Sequence, residues 1–415
     1  MSKLAEIVAP RRFGTGFRWL IASSWVSNLG DGIAIAAGPL LVASMTHDPI
    51  LVASAALLQW LPPLLFGLLA GALADRLDRR LIIVTVDLLR AVVLVLLTLT
   101  IATDVVQIWI VLLAMFLLGT AEVFADNTAA TLMPMLVQRD DLAVANSRLT
   151  SGFITVNQLA GPPIGAALFA AGHAVPFAAQ AVLVALGAVL ISRLVLAPHR
   201  REAAIQTHLR HDIAEAFHWV LHNAAVRTLV MTIFVFNITF GAAWSVLVLY
   251  ATERLGMGPI GFGLLTTVSA VGGLIGTLAY PWITRHVTLG DLMRIGLVFE
   301  TFTMLSLAVT THAWVAMCIF FVFGAHAFIW GTTSLTIRQR AVPTELQGRV
   351  GSVNLVGVFG GLVIGSAIGG VLAQHWGVTA PFWFAFAGSA LFVVLIWGQL
   401  SHIAHADEAD APAPA

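Results

Sequence analysis

The residues of this 415-residue chain that could do chemistry are a few ionisable and polar side chains set inside long apolar runs. Asp31, Glu122, Asp126 and Glu300 each interrupt a stretch otherwise built from Leu, Val, Ala, Gly and Phe. An Asp at the centre of a helix in hydrocarbon costs roughly 2.5–3.5 kcal/mol, so an acid kept there is a functional candidate by default. Ser24, Ser27 and Asn28 share the helical face of Asp31, and Glu122 and Asp126 share another face one turn apart. Such acids can carry protons or serve as counter-charge to a cationic solute. The competing roles are structural: a hydrogen bond to a neighbouring helix for Asp31 and Glu300, and a pair with Arg76 or Arg79 for Asp126. The expectation is that no Lys or Arg stands mid-span to neutralise these acids permanently.

A second set is aromatic. Asn237, Gly241 and Trp244 fall on one helical face, as do His326 and Trp330. Aromatic walls with a few polar groups suit an amphipathic or cationic ligand, although Trp also anchors helices at membrane interfaces and His326 can serve packing alone. His208, His211, Glu215, His218 and His222 recur at spacings of three and four. Paired Zn ligands can be spaced in this way, but a solvated polar face accounts for the stripe equally well, and no metal is assigned. The single Cys318 excludes an intrachain disulfide and is expected to be a small buried filler. H-E-x-x-H, G-x-S-x-G and the phosphate-binding P-loop G-x-x-x-x-G-K-[ST] are absent from the sequence, which argues against an enzyme and against ATP hydrolysis.

The elements that must position these residues are membrane helices. A soluble domain carries roughly a quarter charged residues, whereas this chain is 59% hydrophobic and 10% charged, with a mean hydropathy of +0.93. Its net charge of +0 offers nothing to nucleic acid. A hydrocarbon core of about 30 Å needs about 20 apolar residues, all backbone polar groups being satisfied within the helix. Twelve segments meet that length, at about 18–45, 50–73, 81–103, 106–135, 147–171, 175–197, 228–252, 259–284, 292–311, 313–336, 351–373 and 379–400. The first is too long for a cleavable signal peptide.

With the N-terminus in the cytoplasm, Arg11, Arg12, Arg76, Arg79, Arg80, Arg139, Arg200, Arg201, Arg285, Arg338, Arg340 and Arg349 all face that side, and Arg254 falls outside. The positive-inside bias supports this topology, which returns the C-terminus to the cytoplasm. The expected organisation is a six-helix bundle over 1–198, a cytoplasmic linker over 199–227, a second bundle over 228–401 and a disordered acidic tail over 402–415. Ile205, Leu209, Ile213, Phe217 and Val220 make an apolar stripe on an amphipathic helix in the linker. The halves repeat weakly: Leu142, Gly161, Gly165 and Leu168 match Leu346, Gly365, Gly369 and Leu372 at a constant offset, and Gly71 and Leu73 resemble Gly276 and Leu278. Two bundles related in this way place a substrate site at their interface.

Between the second and third spans stands Gly71-Ala-Leu-Ala-Asp75-Arg76-Leu-Asp78-Arg79-Arg80. It resembles motif A of the major facilitator superfamily, G-x-x-x-D-R-x-G-R-[KR], with Asp78 in place of the second glycine, as in the branch of macrolide and enterobactin exporters. Ser27-Asn28-Leu29-Gly30-Asp31-Gly32, Asp87-Leu-Leu-Arg90 and Ala145-Asn146-Ser147 resemble that branch too. Gly161-Pro162-Pro163-Ile164-Gly165 looks like the G-P-x-x-G core of motif C, associated with antiporters, with Asn157 where the pattern has an upstream glycine. In motif A, the glycine is expected to let helices approach, while Asp75 and the arginines pair with or bond to neighbouring helix ends.

The resemblance implies an all-α integral membrane protein of the major facilitator fold, twelve helices in two bundles, with spans one, four, seven and ten lining a cavity where Asp31 and Glu122 face one another. It implies a secondary active transporter in the bacterial cytoplasmic membrane. This transporter exports small amphipathic molecules such as drugs, macrolides or siderophores by alternating access, as a monomer, on a proton gradient and without a cofactor. A nutrient importer of the same fold and a membrane sensor that no longer transports are the rival expectations. Reporters fused after Arg80, at His211 or at the C-terminus are expected to be cytoplasmic, and those at His47, Asp104 or His173 external. A reporter on the wrong side within either half breaks the repeat.

Overall fold

A computed structural model describes residues 10–195 and 209–398. The chain is helical throughout these residues, with no strand among them: α1 Gly14–Met45, α2 Pro49–Arg76, α3 Arg79–Ala102, α4 Ile108–Ala130, α5 Leu142–Ala171, α6 Val175–Ser192, α7 Leu209–His222, α8 Ala224–Trp244, α9 Pro259–Ile283, α10 Leu289–Val309, α11 Ala313–Ala341, α12 Gln347–Trp376 and α13 Ala380–Ile396. Helix starts carry recognisable caps. Asp78 accepts from Leu81 N at 3.1 Å, Asn223 from Val226 N at 3.1 Å and Thr288 from Asp291 N at 3.1 Å. The departure from motif A at Asp78 thus has a local reason: the carboxylate caps α3.

Eleven of these helices are long and apolar enough to cross a membrane, and α13, with 17 residues, is apolar but shorter. The expected count of twelve therefore stands at eleven full-length helices and one short one. Leu88, Leu89, Val92, Leu96 and Leu99 of α3 are 48–58% exposed. An outward leucine and valine face of this kind belongs in lipid rather than water. Cys318, expected inside, lies on the exposed side of α11. An apolar run has the same composition whether a residue faces lipid or protein.

The chain forms two compact units. One comprises the described part of Met1–Thr46 with Leu61–Ile205 and Gly258–Thr267; the other comprises His47–Trp60, Gln206–Met257 and Val268–Ala415 over their described residues. In the first unit, α1 packs along α5 and α6, and α3 along α4 and α6. The α1–α5 contact is backbone on backbone: a Cβ at Gly161 would lie 2.4 Å from Gly32 Cα, and one at Gly165 2.2 Å from the Ile33 carbonyl oxygen. In the second unit α8 packs on α12 by the same device. A Cβ at Gly365 would stand 2.2 Å from Ile238 O, and one at Gly369 2.2 Å from Ala242 O. The glycines that recur at constant offset in the sequence thus make the same helix contact in each unit.

Gly71 and Gly276, the other matched pair, do not. Gly276 sits on Ala325 O, while a Cβ at Gly71 meets nothing within 4 Å, so the expectation that Gly71 permits a close helix approach is not met. Along α5, residues Phe153–Ala160 form a π-helix directly before Gly161-Pro162-Pro163. Two successive prolines remove the amides that the α pattern needs one turn back, and a shift to longer-range bonding accommodates the gap.

Gly165→Val places side-chain atoms where the Ile33 carbonyl lies. It is expected to lower the thermal stability of the detergent-solubilised protein by an amount equivalent to about 1–3 kcal/mol, while Gly71→Ala leaves it unchanged. Thermal unfolding followed by tryptophan fluorescence reads both variants, and equal midpoints would show that the α1–α5 approach is not needed.

Candidate functional site

The first unit holds a cluster of charges whose centre is buried and whose edge is exposed. Asp87 and Arg90 lie three residues apart on α3, each 3% exposed, and Arg90 Nη1 donates to Asp87 Oδ1 at 3.2 Å. The other guanidinium nitrogen, Nη2, pairs with Asp31 Oδ1 of α1. Glu122 and Asp126 of α4 stand within electrostatic reach of both Asp31 and Arg90. Glu122 is half-buried and Asp126 is the exposed member. Four carboxyl groups thus surround one guanidinium, and if all were ionised, three negative charges would be unmatched.

This arrangement corrects two expectations. Arg90 stands in the middle of α3, so a permanent cation does neighbour the acids, and Asp31 is engaged in an ion pair. Asp126 interacts with this cluster and not with Arg76 or Arg79. Asp87 and Arg90 were missed as site residues although the signal was present: an acid and a base at i, i+3 in the middle of a 24-residue apolar helix. Nearby polar groups support the α1 backbone. Asn28 Nδ2 donates to Ser24 O at 2.8 Å, and Asn157, on the π segment, donates to Asn28 O at 3.2 Å. A Cβ at Gly32 would lie 2.5 Å from Asn157 O, so Gly32 makes room for the residue that replaces the upstream glycine of motif C.

Motif A lies at one end of the same unit. Arg80 Nη1 donates to Leu194 O just beyond α6 at 3.1 Å, Arg79 Nη1 lies 3.1 Å from Met135 Sδ, and Arg76 is exposed. The Asp75 side chain lies outside the described residues. Of the helical histidine stripe, Glu215 pairs with Arg349 at 2.7 Å, and the rings of His218 and His222 stand 4.1 Å apart. His208 and the side chain of His211, like Ile205 and the tail, fall outside the described residues. Val220 anchors α7 in a small core with Val226, Val342, Val350 and Val353.

The second unit is aromatic where the first is charged. Trp244 stacks on Phe240 at 4.6 Å and packs against Phe320 and Phe323 of α11 at 5.5 and 6.2 Å. Asn237 Nδ2 donates to Ile233 O at 2.7 Å, one turn back on its own helix. His326 and Trp330 both lie against Gly296 of α10, and His326 Nε2 stands 4.0 Å from Glu300 Oε2.

Solved structures share this fold. A bacterial homologue of the iron transporter ferroportin, in an inward-facing state, superposes with a TM-score of 0.73 at 16% identity over 97% of this chain and 100% of that one. The nucleoside transporter NupG does so with a TM-score of 0.71 at 14% identity, over 94% and 99%. The fold is that of the major facilitator superfamily. A family model described as transmembrane secretion effector matches residues 6–414, and the chain belongs to that family of transporters; it is not an enzyme. Among similar proteins, the multidrug efflux pump Tap of Mycolicibacterium fortuitum is 27% identical over 88% of this chain and 90% of its own length. Macrolide efflux protein A of Streptococcus pyogenes is 21% identical over 92% and 94%, and a staphyloferrin A transporter of Staphylococcus aureus 22% over 88% and 91%.

Removing the cation from the cluster leaves buried carboxylates without a partner. Arg90→Gln is expected to destabilise the solubilised protein by about 3–5 kcal/mol, and adding Asp31→Asn to recover part of that loss. Additive losses in the double variant would show that the two side chains do not form one ion pair.

Proposed function

We propose that the chain is a proton-coupled exporter of small amphipathic molecules, working by alternating access as a single chain in the bacterial cytoplasmic membrane. The observation that carries this reading is the cluster of four carboxyl groups around Arg90. In a medium of low dielectric, three unmatched negative charges are costly, and there are two ways to remove them: bind protons or bind a cation. A site that trades one for the other exchanges protons for cationic solute. Asp31 and Asp87 are the members ion-paired to Arg90, and Glu122 and Asp126 carry the exchange. Asp31 and Asp87 hold the arginine in place. The efflux pumps among its relatives support the direction, and motif A with Arg79 and Arg80 supplies the gate. The energy source is the proton gradient, with no cofactor.

In inverted vesicles carrying the wild type, an imposed pH gradient is expected to drive uptake of a cationic dye such as ethidium. Glu122→Gln abolishes the gradient-driven part and leaves downhill counterflow, because a proton acceptor is lost while the pathway remains. Gradient-driven transport that survives both Glu122→Gln and Asp126→Asn would remove the cluster from the coupling.

A further inference from the structure

Among the described residues of the long apolar helices in the second unit, Glu300 and His326 are the acid and the histidine away from helix ends, and they meet. On α10 the ionisable residues are Asp291 and Arg294 in the first two turns and Glu300 in the middle. On α11 they are the exposed Cys318, His326 in the middle, and Arg338 and Arg340 at the end. The helices packed against these two add little: α8 has Arg227 in its first turn, α9 has Tyr280, whose hydroxyl accepts from Thr333, and α13 has no titratable residue. Glu300 and His326 are 13% and 11% exposed, with Nε2 and Oε2 4.0 Å apart. That distance is too long for a direct hydrogen bond and short enough for strong Coulomb coupling among apolar neighbours.

The surroundings fit a pair that holds a proton. Phe299 and Phe323 flank the imidazole at 5.0 and 6.3 Å and keep water from it. The His326 ring and the Trp330 indole both lie over Gly296, one turn before Glu300, where a Cβ would come within 2.9 and 2.5 Å of them. The Trp330 Nε1 donor, over Gly296, is buried with no partner. With one proton between them, Glu300 and His326 are neutral as a pair, whether written as acid and imidazole or carboxylate and imidazolium. Either neighbour alone would face the full cost of charge in hydrocarbon.

The geometry points to Glu300 and His326 as a second proton-carrying site, in the second unit and separate from the carboxylate cluster around Arg90. Phe323 touches both His326 and Trp244, so a proton on the pair sets the charge beside the aromatic wall, and an imidazolium there repels a cation that the neutral ring admits. This consequence for transport rests on the proton-coupled reading above; the proton site itself does not.

The test therefore has a spectroscopic arm independent of transport. Infrared difference spectra of the purified full chain between pH 5 and pH 9 are recorded for wild type, Glu300→Gln, His326→Gln and the exchanged pair Glu300→His/His326→Glu, each checked for monodispersity. A protonated-carboxyl band that Glu300→Gln removes, His326→Gln shifts and the exchange restores establishes the site. The absence of both a protonated-carboxyl band lost in Glu300→Gln and an imidazolium band lost in His326→Gln overturns it. In vesicles, gradient-driven ethidium transport should fall to the gradient-free level in Glu300→Gln and return in the exchanged pair. If the wild type transports no ethidium, the exporter reading fails while the infrared result still decides the proton site.

Discussion

A guanidinium cannot be discharged at any accessible pH, so once Arg90 is placed in the interior of a membrane bundle, the positions of its neighbours are constrained. Asp87 sits one turn before it on α3 and Asp31 reaches it from α1, so the Arg90–Asp31 pair links two helices built largely of apolar residues. Arg90 Nε remains without a partner. The arginine thus orders the first unit and at the same time concentrates negative charge around itself. Structure and chemistry have the same origin here: the charges that fix α1 against α3 also create the local excess that a proton or a cation can relieve.

Close helix approach is the second constraint, and it sets where polar backbone becomes available. Carbonyls of α1 stand against glycines of α5 at distances no larger residue permits, and the prolines after Gly161 push the preceding turns into π geometry. The register shift turns Asn157 inward, 5% exposed, to meet the backbone of Asn28. Asn28 and Asp31 are three residues apart on α1. The helix that carries Asp31 is therefore held from one side by packing and from the other by charge.

The two units use one packing scheme for different chemistry. Glycines at matching positions set α1 on α5 and α8 on α12. On that common frame, the first unit carries Asp31, Asp87, Arg90, Glu122 and Asp126. The second carries Phe240, Trp244, Phe320 and Phe323, with the Glu300–His326 pair beside them. A repeat conserves the backbone contacts, where a Cβ is excluded, and leaves the remaining side chains free to diverge.

What the sequence by itself determined follows from periodicity and composition. Apolar runs of about 20 residues require membrane helices, the glycine offset identified equivalent contacts, and the motif between α2 and α3 identified the superfamily. Acids inside apolar runs were legible as functional candidates because their cost in hydrocarbon does not depend on partners. Their partners did depend on tertiary structure. Asp31 and Arg90 are 59 residues apart, and no spacing rule links α1 to α3. For the same reason Asp126 read as a partner of the nearby arginines of motif A, when packing brings it to Arg90. Cys318 read as buried because a lipid-facing residue and a core residue look alike in a run of apolar neighbours. Glu300 and His326 were each visible alone, 26 residues apart, and only the packing of α10 against α11 makes them a pair.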